Sequence, residues 1–192
     1  MLPLFIDLAR LRLVLVGNGR AALRRLALLE EAGAQHIEIF AAAPSHEIAA
    51  AAGDRLTRRW PACEDLIGAQ LVFIADVPEP ERAALVHATR GLGVLVHVED
   101  EPSLSDTQAP AVLRRGSLTL AVSTGGASPA LASQLRDFLG RLFGPEWRGR
   151  VDEVSRKRHA WRKAGVAPET IAHLTGELVS RRGWLPTPAT RH

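Results

Sequence analysis

The segment Gly17-Asn18-Gly19-Arg20-Ala21-Ala22 has the spacing G-x-G-x-x-A. Gly17 permits a tight turn, Gly19 lets a phosphate oxygen approach the backbone, and Ala22 allows a helix to pack closely on a sheet. A helix that begins here offers unpaired N–H groups and a positive dipole end to an anion. The spacing therefore predicts a dinucleotide pyrophosphate over residues 17–22, with NAD as the expected cofactor. A purely structural turn is the plainer reading. The acidic residue that usually ends the second strand and bonds the ribose is missing. Ala41, Ala42 and Ala43 stand there, and Glu38 comes too early. A preference between NAD and NADP is not written at this position.

A second cluster is His97-Val98-Glu99-Asp100-Glu101-Pro102. Adjacent carboxylates repel one another, so at least one could have a raised pKa suited to a general base. A solvated acidic loop is the alternative, and His97 suits a satisfied buried histidine better than a ligand. A third is Ser123-Thr124-Gly125-Gly126-Ala127-Ser128-Pro129, preceded by Arg114 and Arg115. Its glycines suit an anion-binding nest of backbone amides, while Ser128 and Pro129 equally suit helix capping alone. The arginines could grip carboxylates in bidentate fashion or simply face solvent. The basic run Arg156-Lys157-Arg158-His159-Ala160-Trp161-Arg162-Lys163 spreads its charge around a helix, so a solvated face fits it better than a nucleic-acid surface.

These residues need elements to hold them. Leu13–Val16, Ile37–Phe40, Leu71–Ile74 and Val94–Val98 are short apolar runs of the kind buried in parallel sheets. Between them lie helical stretches at residues 20–32, 45–52 and 79–90, the first stopped by Gly33 and the last opened by Pro80. This alternation predicts βαβ units and a doubly wound parallel sheet of Rossmann-like form. It places His97 to Glu101 at the carboxyl end of a strand, where open α/β sheets hold their ligands. The alternation stops past Pro102. A strand is expected at Leu118–Ser123, a helix from Ser128 to about Phe143, then two helical segments parted by Gly165 and Pro168. After Gly183 a Pro- and Thr-containing tail is expected to fray.

A chain of 192 residues has room for one domain and a smaller appendage. Hydrophobic residues at 46% and charged ones at 23% suit a folded soluble chain. One cysteine, Cys63, excludes a disulfide framework and a Cys-rich zinc site. Asp7, Arg10 and Arg12 interrupt the apolar opening, and no run approaches membrane-spanning length, so a cytoplasmic protein with no membrane partner is expected. The net charge is only +3, but arginine lifts the isoelectric point to about 9.9, favouring an anionic partner.

Together the segments LPLFIDL, LVLVGNGRAALRRLALLEEAGA, VLVHVEDEP and PAVLRRGSLTLAVSTGGASPALASQLRDFL resemble the siroheme-synthase N-terminal module family, the precorrin-2 dehydrogenase/sirohydrochlorin ferrochelatases. The likeness runs from about Leu2 to Phe143, more loosely beyond. It implies an NAD-binding domain at 1–112, a dimerisation segment at 113–146 and a helical domain at 147–192. It further implies a homodimer whose sites lie between the nucleotide domain and the partner's dimerisation region. Members oxidise precorrin-2, an anionic tetrapyrrole, to sirohydrochlorin with NAD+, and many then insert ferrous iron as a second substrate. The family's aspartate, in its N-V-V-D pattern, falls on Asp100 as proton acceptor. His97, Arg114, Arg115, Thr124, Gly125, Gly126 and Ser128 are the expected substrate contacts.

The chain departs from the family at three places. His97 replaces the asparagine, Glu99 replaces the second valine, and Ala75-Asp76-Val77-Pro78-Glu79-Pro80-Glu81 replaces an A-T-D-D-x-x-V-N run. The family's phosphorylatable serine aligns with Thr124. A nucleotide-sensing regulatory dimer that has lost catalysis is the rival reading, and substrate turnover separates the two. No nucleic-acid partner is expected.

Overall fold

A computed structural model describes residues 2–185, so the expected tail lies, from residue 186 on, outside the described residues. The chain forms two compact units, residues 1–109 and 110–192.

The first unit runs β1 (Arg12–Val16), α1 (Arg20–Glu31), β2 (His36–Phe40), α2 (His46–Ala52), β3 (Leu56–Thr57), α3 (Cys63–Leu66), β4 (Leu71–Ile74), α4 (Glu81–Gly91) and β5 (Leu95–Val98). Its strands form one parallel sheet in the order β3-β2-β1-β4-β5. The doubly wound reading is borne out by which side chains meet. Leu13, Leu15, Ile37, Ile39 and Phe73 pack with Leu26, Leu29 and Ile48 of α1 and α2. Val14, Val16, Val72, Ile74 and Val96 pack on the other face with Leu66, Leu85 and Val86 of α3 and α4. Strand side chains alternate between faces, so burying both demands continuous apolar runs. Gly33 ends α1 as expected, at φ +88° with its N–H bonded to the Glu30 carbonyl.

Among the described residues the outer edge of β5 has no strand partner, yet the polar groups of Val96 and Val98 are satisfied. Asp106 N–H donates to the Val96 carbonyl at 2.8 Å, and Val96 N–H donates to the Asp106 carboxylate at 3.1 Å. Ser105 Oγ accepts from Val98 N–H at 2.9 Å and lies 3.0 Å from the Val98 carbonyl.

The second unit is an antiparallel hairpin, β6 (Ala111–Arg115) and β7 (Leu118–Val122), followed by α5 (Pro129–Leu142), α6 (Trp147–Lys163) and α7 (Pro168–Arg181). Ser128 caps α5, its Oγ accepting from Leu131 N–H, with Pro129 in the first turn as expected. β6 was not anticipated: its Arg114-Arg115 end hides the alternation that marks β7. Burial here is slight. Among the described residues of this unit only Ala132, Ile171 and Leu178 are buried apolar side chains. Leu131, Leu135, Phe138 and Leu142 form an exposed stripe along α5, each more than 40% accessible. No described helix is long and apolar enough to cross a membrane.

Candidate active site

The glycine turn joins β1 to α1, and each small residue has a steric reason. A Cβ on Gly17 would lie 1.9 Å from the Ala75 carbonyl oxygen and 2.8 Å from Ala22 Cβ. Only glycine fits there, because β4 and α1 both close on that point. Asn18 ties the turn to the loop after β2: its Oδ1 accepts from Ala43 N–H at 3.0 Å, and its carbonyl accepts from Ser45 N–H at 2.7 Å. The three alanines therefore sit beside the turn where an acidic ribose ligand would otherwise stand. Arg20 is exposed at the first position of α1.

The amides at the start of α1 are aimed at an anion, and one is in place. Asp76, just beyond β4, accepts from Ala21 N–H at 2.7 Å and from Ala22 N–H at 3.1 Å through Oδ2. A Cβ on Gly19 would approach that same oxygen to 3.0 Å. The carboxylate thus stands where a phosphate oxygen would be held, so the donors of the turn fit a dinucleotide diphosphate in chemistry. Asp76 is exposed and adopts φ +57°, a left-handed conformation that aspartate tolerates better than most residues. The sequence reading did not give it this role. Its place at the carboxyl end of the strand beside β1 was the available signal.

At the end of β5 two residues that depart from the family share one buried cation. Arg25 lies on the core-facing stripe of α1 with Ala21, Ala22, Leu26 and Leu29, and only 8% of it is accessible. Its Nη2 donates to Glu99 Oε2 at 2.5 Å and lies 3.1 Å from His97 Nε2. Its guanidinium also stands 5.5 Å from the centre of the Phe73 ring, while its Nε has no partner among the described residues. His97 is buried, with Nδ1 3.1 Å from the Thr107 carbonyl. The His97 contact first, then the Arg25 guanidinium, hold the Glu99 carboxyl at about 2 despite partial desolvation. Arg25 was legible as an anomaly: a cation on an otherwise apolar helical stripe.

Asp100 follows at φ +58° in a tight turn and is exposed, with no hydrogen bond or ion pair among the described residues. Glu101 lies 3.6 Å from Arg82. Of three neighbouring carboxylates, Glu99 is therefore committed to a cation while Asp100 is left open to solvent. The sheet brings Asp76, Glu99 and Asp100 to its carboxyl end, since β4 and β5 run side by side in register from Leu71↔Leu95 to Ile74↔Val98.

The remaining candidates belong to the second unit. Arg114 is exposed on β6, opposite Thr119. Arg115 binds the end of α5, donating from Nε to the Phe143 carbonyl at 2.9 Å and from Nη2 to that of Gly140 at 3.4 Å. Thr124 Oγ1 closes the following loop, accepting from Ser128 N–H and donating to the Ser128 carbonyl, each at 3.0 Å. Gly125 and Gly126 take φ +64° and +88°, and Gly125 N–H donates to Ser123 Oγ at 3.1 Å. The capping chemistry of this loop is thus met from within it.

A parallel sheet of this strand order with a G-x-G turn before α1 defines a Rossmann-type dinucleotide-binding protein. The putative NAD(P)-binding family matches residues 4–111, and the sirohaem biosynthesis central domain matches residues 115–142. The chain belongs to the siroheme-synthase N-terminal module family. It is 33% identical to the siroheme synthase of Stutzerimonas stutzeri (strain A1501), over 92% of this chain and 42% of that protein. It is 40% identical to the siroheme synthase of Pseudomonas putida (strain W619), over 92% of this chain and 41% of the relative. The chain thus spans about two fifths of the length of these curated relatives. Among solved structures, "SirC, precorrin-2 dehydrogenase" superposes with a TM-score of 0.72 at 25% identity, over 93% of this chain and 89% of that one.

Proposed function

We propose that this protein is an NAD-dependent precorrin-2 dehydrogenase that forms sirohydrochlorin in the cytoplasm, and that sirohydrochlorin with ferrous iron is a further substrate pair. The observation that carries the reading is the exposed Asp100 carboxylate, unpaired among the described residues, at the same sheet end as the anion-seeking amides of α1. Similarity over 89% of a precorrin-2 dehydrogenase supports it.

Residues 17–22 would hold the diphosphate: the amides of Ala21 and Ala22, which bond Asp76, would serve it in the space beside Gly19 that this carboxylate fills. NAD+, when bound, supplies a hydride acceptor. Asp100 would take the proton lost from the macrocycle, and its solvent exposure lets it pass that proton to water. It would take pyrrole protons likewise when iron enters. Glu99, held ionised by His97 and Arg25, adds fixed negative charge beside Asp100 rather than a second base. Residues 1–112 would carry NAD, 113–146 dimerisation and 147–192 the helical domain. Arg114, Thr124, Gly125, Gly126 and Ser128 would meet the substrate's carboxylates.

The thin core of the second unit supports a homodimer, because so few buried side chains leave the hairpin and three helices short of apolar contacts. The deciding experiment is an anaerobic assay of the full chain with precorrin-2 and NAD+, followed by ferrous iron. NADH and sirohydrochlorin form in the first step and siroheme in the second. Absence of NADH formation overturns the dehydrogenase reading, and failure of the second step removes iron insertion alone.

A further inference from the structure

We infer that Asp76 is a resident anion of the dinucleotide cradle, a side chain that the incoming diphosphate must displace and that sets the protein's affinity for the cofactor. The inference rests on the dinucleotide reading of residues 17–22.

Three observations converge on this residue. Its Oδ2 accepts from Ala21 N–H at 2.7 Å and Ala22 N–H at 3.1 Å, amides that a helix start offers to a phosphate. The same oxygen lies 3.0 Å from the Cβ position of Gly19, so it fills the space which the second glycine keeps open. One volume cannot hold both a carboxylate and a diphosphate, and two anions there would repel. Asp76 is also exposed, so rotation about its own side-chain bonds can release the amides without opening the core. Val77 beside it is buried at 7% accessibility and anchors the loop.

The consequence is an exchange rather than simple binding. Without cofactor, Asp76 satisfies the orphan amides of α1 and opposes the positive end of its dipole, stabilising the free protein. With cofactor, that stabilisation is given up and the diphosphate takes over the same donors. Net affinity is therefore lower than the cradle alone would provide.

The test uses calorimetric titration of the full chain with NAD+, together with thermal melting of the cofactor-free protein. Two variants fit the left-handed backbone at residue 76, which both replacements adopt readily. Asp76→Gly removes the competitor and is expected to lower the Kd for NAD+ by about fivefold to tenfold. Asp76→Asn keeps an acceptor without the charge and is expected to fall between. Both should melt a few degrees below wild type when free of cofactor. Opposite changes in affinity and free-protein stability mark a competitor, whereas a merely structural residue would worsen both. Wild-type binding with an unchanged or raised Kd in Asp76→Gly overturns the inference while leaving the dinucleotide reading intact. No NAD+ binding by any of the three proteins overturns both.

Discussion

Asp100 occupies a left-handed backbone position, and that governs how its role is measured. Alanine there adds backbone strain of roughly 1–2 kcal/mol, mixing a folding effect with a chemical one. Asparagine tolerates the conformation and removes only the charge. Asp100→Asn is therefore expected to lower the rate of NADH formation from precorrin-2 by about 10²–10⁴-fold, with the Kd for NAD+ unchanged by calorimetry. A near wild-type rate would remove Asp100 from proton transfer. The sequence showed this residue through its place at a strand end and its match to a family pattern. Asp76 was not legible as a cradle residue, because its role depends on a turn that carries it back to residues 21 and 22, more than fifty positions earlier.

At the scale of elements, α1 and β5 are joined across β4 by the Arg25–Glu99 pair and the His97 contact. Removing one partner leaves a buried guanidinium short of a charged acceptor. Glu99→Gln is expected to reduce unfolding free energy by roughly 1–3 kcal/mol at neutral pH, measured by urea denaturation. Folding lowers the Glu99 pKa from an ordinary 4.5 to about 2. Its stabilisation is therefore complete above about 4.5 and disappears as pH falls toward 2. The gap between wild type and variant should narrow over that interval, and a constant gap would deny the ion pair its role. Most elements could be read beforehand where buried strands and amphipathic helices alternate. β3, with two residues, and α3, with four, carry too little periodicity to register. Arg25 needed β5 to explain it: a helical stripe shows that a cation is buried but not what receives it.

For the molecule as a whole, the exposed α5 stripe is the surface on which the proposed homodimer can be tested. Leu131, Leu135, Phe138 and Leu142 recur at helical spacing and remain 41–57% accessible. A second copy related by a two-fold axis would bury such a stripe against itself. Leu135→Glu with Phe138→Glu is expected to convert a dimer into monomers in light scattering at micromolar concentration. Precorrin-2 turnover should fall with it, while the Kd for NAD+ stays within about twofold, since residues 17–22 lie in the other unit. A monomeric wild type would overturn the homodimer, and a dimer that survives both charges would place its interface elsewhere.

The open side of β5 has a further consequence, for solubility. An unpaired strand edge is a template on which other chains can add, and proteins blunt such edges to avoid aggregation. Here Ser105 and Asp106 take up the N–H and carbonyl groups of Val96 and Val98 that another strand would use. Apolar Leu95 is exposed on the same strand. Two short polar residues, through their side chains and the Asp106 amide, thus close a sheet that could otherwise extend from molecule to molecule.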